Sequence, residues 1–160
     1  MKVSPIYKDQ LSVNSDWRNI YANQHSSVIC MNSGSTKIAY PVLYQQGTYT
    51  PDGNYRWMAS PAIDRNGNIG IGYSFGGGST FTGQRFAGRL ARDPLGRLTL
   101  KETVLAEGEA AQNAMRWEDY TQTAIDPSDD CTIWYVGDYL KKNATNYSSR
   151  IGAFRLPGCH

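Results

Sequence analysis

The chain has 160 residues, 40% of them hydrophobic and 19% charged, with a formal charge of +2. At 17.8 kDa it is long enough for one domain with a real core and short for two. The near balance of charge argues against a dedicated nucleic-acid binder, no apolar run reaches the roughly 18 residues of a membrane span, and eleven Tyr, four Trp and four Phe are out of keeping with disorder.

Residues 1–37 are rich in Ser, Asn, Asp and Gln, with one apolar run at 28–31 that contains Cys30. The first ten, MKVSPIYKDQ, have no apolar signal-peptide core. Residues 37–44 read as a β segment, with Pro41 favouring an edge or bulge. A turn follows over 49–54, where Pro51 presets φ and Gly53 admits φ > 0. Next come a strand over 57–63, a tight hairpin at Asp64-Arg65-Asn66-Gly67-Asn68, and a strand over 69–73. Gly70 and Gly72 alternate with Ile69, Ile71 and Tyr73, so one face carries bulk and the other admits a close neighbour. Residues 75–80 read as a flexible connection, 84–90 and 98–105 as further strands, and 106–115 as a loop, since Gly108 and the missing apolar period oppose a helix. Residues 141–149, with the glycosylation-type triplets at Asn143 and Asn146, read as an exposed loop.

Cys30, Cys131 and Cys159 include no C-x-x-C pair, and only His25 and His160 could join them, so a zinc site is poorly supplied. Cys131 and Cys159 either bridge, closing a loop of roughly 28 residues, or remain buried thiols together with Cys30.

The stretches 56–73 and 116–135 are similar. Each begins Arg-Trp, reaches Ala-Ile-Asp at 62–64 or 124–126, turns, and returns to a Tyr nine residues after the Asp, Tyr73 or Tyr135. Each unit then runs on to Arg-Leu, at 89–90 or 155–156. A unit of three or four antiparallel strands at a period of roughly 60 residues is the mark of a propeller blade. The expected fold is all-β: about two to three antiparallel β-propeller-type blades, a partial propeller or one completed by association, with a β-sandwich as the alternative. The organisation is a poorly defined N-terminal segment or partial blade over 1–37 and a repeat domain over 38–160, with units at about 55–105 and 115–159.

Tyr44 to Tyr49, Tyr55-Arg56-Trp57-Met58, Gly67-Asn68-Ile69, Gly72-Tyr73-Ser74, Arg89-Leu90, Asp126 to Cys131, Trp134-Tyr135, Arg150-Ile151-Gly152 and Pro157-Gly158-Cys159 resemble the C-terminal blades of secreted bacterial β-propeller proteins, sialidase-like with Asp-box-type hairpins. The resemblance covers roughly 40–159 and its motifs are structural. It implies a propeller fold, an extracytoplasmic address and a Cys131–Cys159 bridge. Members of that group are much longer, and residues 1–37 match the expected preceding blade poorly.

Sialidase-type chemistry needs arginines for a carboxylate, a Tyr/Glu pair and an acid. Arg56, Arg85, Arg116 and Arg150 occupy equivalent repeat positions, and Arg116, Glu118, Asp119 and Tyr120 are the catalytic candidates. On a strand, Glu118 and Tyr120 would share a face. The competing reading packs the repeated Arg and Trp between blades, each Arg capping a carbonyl or pairing with Asp64 or Asp126. Arg56, Arg85, Arg150, Trp57 and Trp117 are the ligand-binding candidates, with Trp134, Tyr139 and Tyr147 as further aromatics suited to sugars. Gly72-Tyr73-Ser74-Phe75-Gly76 fits a nucleophile elbow, but the following Gly-Gly-Ser-Thr starts a helix badly. Asp64, Asn66 and Asn68 offer calcium-type oxygens at alternate positions, and the hairpin reading competes with that cofactor. Basic residues crowd 85–101 and acids 102–130, so neighbouring units or chains could pair these faces. The resulting expectation is an extracytoplasmic propeller-type binding or structural module, carbohydrate being the favoured ligand. Its partners would be a glycan and either further copies or missing blades of a longer chain. The alternative is part of a sialidase-like glycoside hydrolase.

Overall fold

The computed structural model describes residues 26–33, 41–113 and 116–160. Most of the N-terminal segment expected over 1–37, and residues 37–40 of the first β segment, lie outside these. Strand β1 (Ser26–Ser33) pairs antiparallel with β2 (Pro41–Tyr49). Strands β3 (Tyr55–Ile63), β4 (Ile69–Gly77), β5 (Thr80–Arg89) and β6 (Leu100–Ala106) form an antiparallel meander in chain order. Strands β7 (Gln122–Ile125), β8 (Ile133–Tyr139) and β9 (Ser148–Phe154) form a second meander of the same sense. The described residues are thus all-β and antiparallel, and no sheet closes on itself. The two repeat units share one topology, β3-β4-β5 matching β7-β8-β9.

Local chemistry explains the elements. Asp64 ends β3, and its Oδ1 accepts the amides of Asn66 and Asn68 at 2.9 and 3.0 Å, closing the hairpin that Asn-Gly announces. Asp126 caps the sister turn, accepting the Ser128 amide at 2.9 Å. The glycine-rich stretch 75–80 is a correction to the flexible connection expected there. Strand β4 runs to Gly77 and β5 starts at Thr80, with Gly77 and Gly78 at φ 121° and 58° making a tight reversal. The glycines supply turn geometry rather than slack.

The β3–β6 sheet is covered on both faces. On one, Ala59, Ile63, Ile69, Ile71, Tyr73, Phe75 and Ala87 pack with Tyr49 of β2 and with Leu98. On the other, Ala62 meets Ile133, Tyr135, Phe154 and Leu156 of the second unit, with Phe86 stacked on Phe154 at 4.0 Å. The small face of β4 admits this neighbour. A Cβ on Gly70 would stand 2.5 Å from Ile133, and one on Gly72 2.3 Å from the Tyr135 ring.

The β3–β4 and β7–β8 turns lie at the same end of the two sheets. At the turn end, Asn66 Nδ2 donates to the Gly158 carbonyl at 2.9 Å, and the Arg65 amide donates to the Asp130 carbonyl at 2.8 Å. There Cys131 and Cys159 form a disulfide across a Cα separation of 5.4 Å, which decides between bridge and free thiols for this pair. Cys30 lies in β1.

Candidate functional site

The other end of the sheets gathers three of the aromatic candidates, whereas Trp134 lies at the turn end and donates to Asp126 at 3.0 Å. Trp57 of β3 and Trp117, on the connection before β7, are sister residues of the repeat. They meet edge to face with ring centroids 6.1 Å apart, and Trp117 continues to Tyr147 at 5.8 Å. All three are half-buried, so each ring keeps some exposed surface. A bulge in β3 helps to aim Trp57. The register with β4 shifts between Trp57 and Ser60, and Met58 sits at φ 50°, a left-handed conformation costly for a non-glycine residue. The Met58 carbonyl accepts the Thr121 hydroxyl at 2.6 Å, which ties the Trp117 connection to the bulge.

Glu118 lies beneath the aromatics and is only 5% exposed. Its Oε1 accepts the Ser74 hydroxyl of β4 and, at 3.1 Å, the Trp117 indole N–H. Its Oε2 accepts the Asp138 amide of β8 at 2.8 Å. One carboxyl therefore joins two sheets and an aromatic ring. Burial pushes it up to about 7 from the usual carboxylate range, with the Asp138 charge adding to the rise while the Ser74, Asp138 and Trp117 bonds oppose it. Residues 116–121 form no strand, and Tyr120 is 90% exposed while Glu118 is inside. The expectation that the two share a face is thereby corrected. The reason is local: a carboxyl finds three donors inward, whereas nothing inward holds Tyr120.

The four repeat arginines divide. Arg56 is fully buried between the rings of Tyr49 and Phe75, at 5.5 and 4.9 Å from their centres. It donates to Asp52 at 2.8 and 2.9 Å and to Glu102 at 2.7 and 3.2 Å, not to Asp64 or Asp126. The bond from Arg56 holds the Asp52 carboxyl well below its usual range. Arg85 stacks 3.9 Å over Phe75 and reaches Glu102 at 3.5 Å and Glu107 at 3.4 Å, so part of the basic stretch meets part of the acidic one within a sheet. Arg116 is exposed and pairs with Asp119, and Arg150 is exposed on β9.

The calcium candidates are engaged by nitrogen donors. Both Asp64 oxygens accept N–H groups, Oδ2 from Asn68 at 2.8 Å, while Asn68 Oδ1 accepts the Ala91 amide at 2.9 Å. Asn66 is exposed at the turn and reaches Gly158. Among the described residues, no three His, Cys, Asp or Glu side chains cluster as metal ligands. Ser74 of the elbow pattern lies within β4, fully buried, with no helix after it.

Of the groups around Glu118, Ser74 was readable only as the serine of the elbow pattern. Asp138 contributes its main-chain N–H, which leaves no sequence signal. Met58 gave none either, because a left-handed methionine is imposed by its surroundings. A scan against protein-family models, a search of curated proteins and a search of solved structures all find no match to this chain.

Proposed function

We propose that the chain is an extracytoplasmic β-propeller-type binding module whose aromatic end takes carbohydrate. The supporting observation is the Trp57–Trp117–Tyr147 train, made of half-exposed rings at one end of two neighbouring sheets. A sugar presents C–H faces that stack on aromatic rings and hydroxyls that need polar neighbours. Arg116 and Asp119 stand exposed on the same connection as Trp117. Head-to-tail stacking of like meanders, which brings sister tryptophans together, favours propeller-type organisation over a chance likeness of hairpins. The buried Cys131–Cys159 disulfide suits an oxidising compartment, and no helix among the described residues is long and apolar enough to cross a membrane.

The test is a glycan array followed by titration calorimetry and a fluorogenic sialoside assay. Binding without turnover is expected, weakened at least tenfold by Trp117→Ala or Trp57→Ala, with the fold intact by circular dichroism. Turnover that Arg116→Ala abolishes would instead favour the glycosidase reading, and the absence of any bound glycan would reject both.

A further inference from the structure

We infer that the outer edge of β9 docks a second copy of this chain: two β9 strands pair antiparallel about a two-fold axis at Ile151 and join two three-stranded sheets into one. This is independent of the carbohydrate reading.

The sister unit shows what such an edge accepts. Strand β5 carries β6 on its outer side, in a register that runs from Gln84↔Ala106 to Gly88↔Leu100. Strand β9 holds the matching place in the second unit, yet among the described residues it pairs with β8 alone. Its sequence, SSRIGAF, has no Pro, no Lys and no register shift, the devices that blunt an open edge.

Two bonds fix the backbone directions. The Asp138 amide donates to Glu118 Oε2 at 2.8 Å and is not spent on β9. The Thr123 amide donates to Ser60 Oγ at 2.6 Å and is not spent on β8. Bonded and non-bonded pairs alternate along an antiparallel ladder. Asp138↔Ser149 is therefore a non-bonded pair and Tyr135↔Gly152 a bonded one, so the N–H and C=O groups of Ser149, Ile151 and Ala153 point out from the edge. These main-chain groups have no hydrogen-bond partner among the described residues, and all three residues are exposed.

A two-fold axis at Ile151 matches these groups to themselves. Ile151 meets the partner's Ile151, Ser149 meets the partner's Ala153, and each outward N–H finds an outward C=O. Arg150 falls opposite the partner's Gly152, so the one charged residue of the strand meets no like charge. On the open face, Ile151 is 66% exposed and lies level with Val136 of β8, so pairing runs an apolar row across both sheets. The first unit packs on β7 and β8 and meets β9 through Leu105 over Gly152, which leaves the edge itself clear. A two-fold contact closes on itself and stops at two copies.

Light scattering of the whole chain over a concentration series is the test. The mass should rise from 17.8 kDa toward twice that value and no higher. Ile151→Lys, which sets two ammonium groups face to face at the axis, should hold the mass at the monomer value with the circular dichroism unchanged. Val104→Lys, exposed on the edge strand of the first unit, should leave the dimer intact. In a Cys30→Ser background, Ile151→Cys should give a covalent dimer on mild oxidation and Val104→Cys should not. The reason is that a bonded antiparallel pair holds its Cα atoms about 5.5 Å apart, within disulfide reach. Should Ile151→Lys lose its fold, this cross-link decides: its formation supports the inference and its absence overturns it. A monomer at every concentration would overturn the inference and leave the edge to residues 1–25 or to another chain. A dimer that survives Ile151→Lys, or a mass beyond two copies, would overturn it as well.

Discussion

The two sister meanders treat equivalent positions in opposite ways. In β4, Gly70 and Gly72 alternate with bulky residues, and Ile133 and Tyr135 of the next unit press directly against them. The repeat sets Gly72 level with Trp134 of β8, which is 43% exposed, and Ile151 of the adjoining β9 is 66% exposed. The same Ala-Ile-Asp turn and the same strand order thus yield one covered face and one open face. A repeat dictates the sheet, while the residues between its motifs dictate whether a second sheet can lie on it.

The sharpest way to break this comparison is at the turn end, where only the second unit carries a disulfide. Cys131→Ser with Cys159→Ser should cost about 3–4 kcal/mol for a closed loop of 28 residues, measured by urea unfolding. Loss under about 1 kcal/mol would mean that the hydrogen bonds between the β3–β4 turn and the C-terminal residues, such as Asn66 to the Gly158 carbonyl, suffice. Next, Gly72→Ala should cost about 2–3 kcal/mol, because the added carbon meets a buried ring that has nowhere to go. Trp134→Ala at the matching position should cost under about 1 kcal/mol. Equal costs would show that the outer face of β7–β9 is covered in solution, and light scattering would then give the number of copies.

A smaller effect concerns Glu118. Its folded value is raised, so the folded state keeps a proton that the unfolded chain releases. Stability from this group is complete below about 4.5 and declines as pH rises to about 7. Relative to Glu118→Gln, the wild type should lose about 1–2 kcal/mol between pH 5 and pH 8 by thermal unfolding. An opposite slope would mean that the Ser74, Trp117 and Asp138 bonds outweigh burial. Last, Met58→Gly should be neutral or stabilising by up to about 1 kcal/mol, since glycine accepts the left-handed backbone without strain. The sister unit has no left-handed residue at the matching Glu118 and offers no such relief.

Much of the frame was legible. The spacing of Asp64 to Tyr73 and Asp126 to Tyr135 located both hairpins, and the Gly70/Gly72 alternation foretold which face a neighbour would approach. The hairpin at 77–80 was misread because glycine serves slack and tight turns alike, and only its pairing to Thr80 tells them apart. At the candidate site, Trp57, Trp117 and Glu118 were visible as residues. Their meeting was not, since Trp57 is brought to Trp117 across more than fifty residues.

Periodicity, turn chemistry and the internal repeat are short-range properties, and by themselves they indicated the strands of the two units, their antiparallel order and the kinship of those units, but not β1, which falls in the poorly defined stretch 1–37. The tertiary structure alone decided which carboxyl is shut away from water and which tyrosine faces it. It also decided that Arg56 answers Asp52 and Glu102. These outcomes depend on which groups from distant strands arrive together, and desolvation is a property of that assembled surrounding rather than of any stretch of chain.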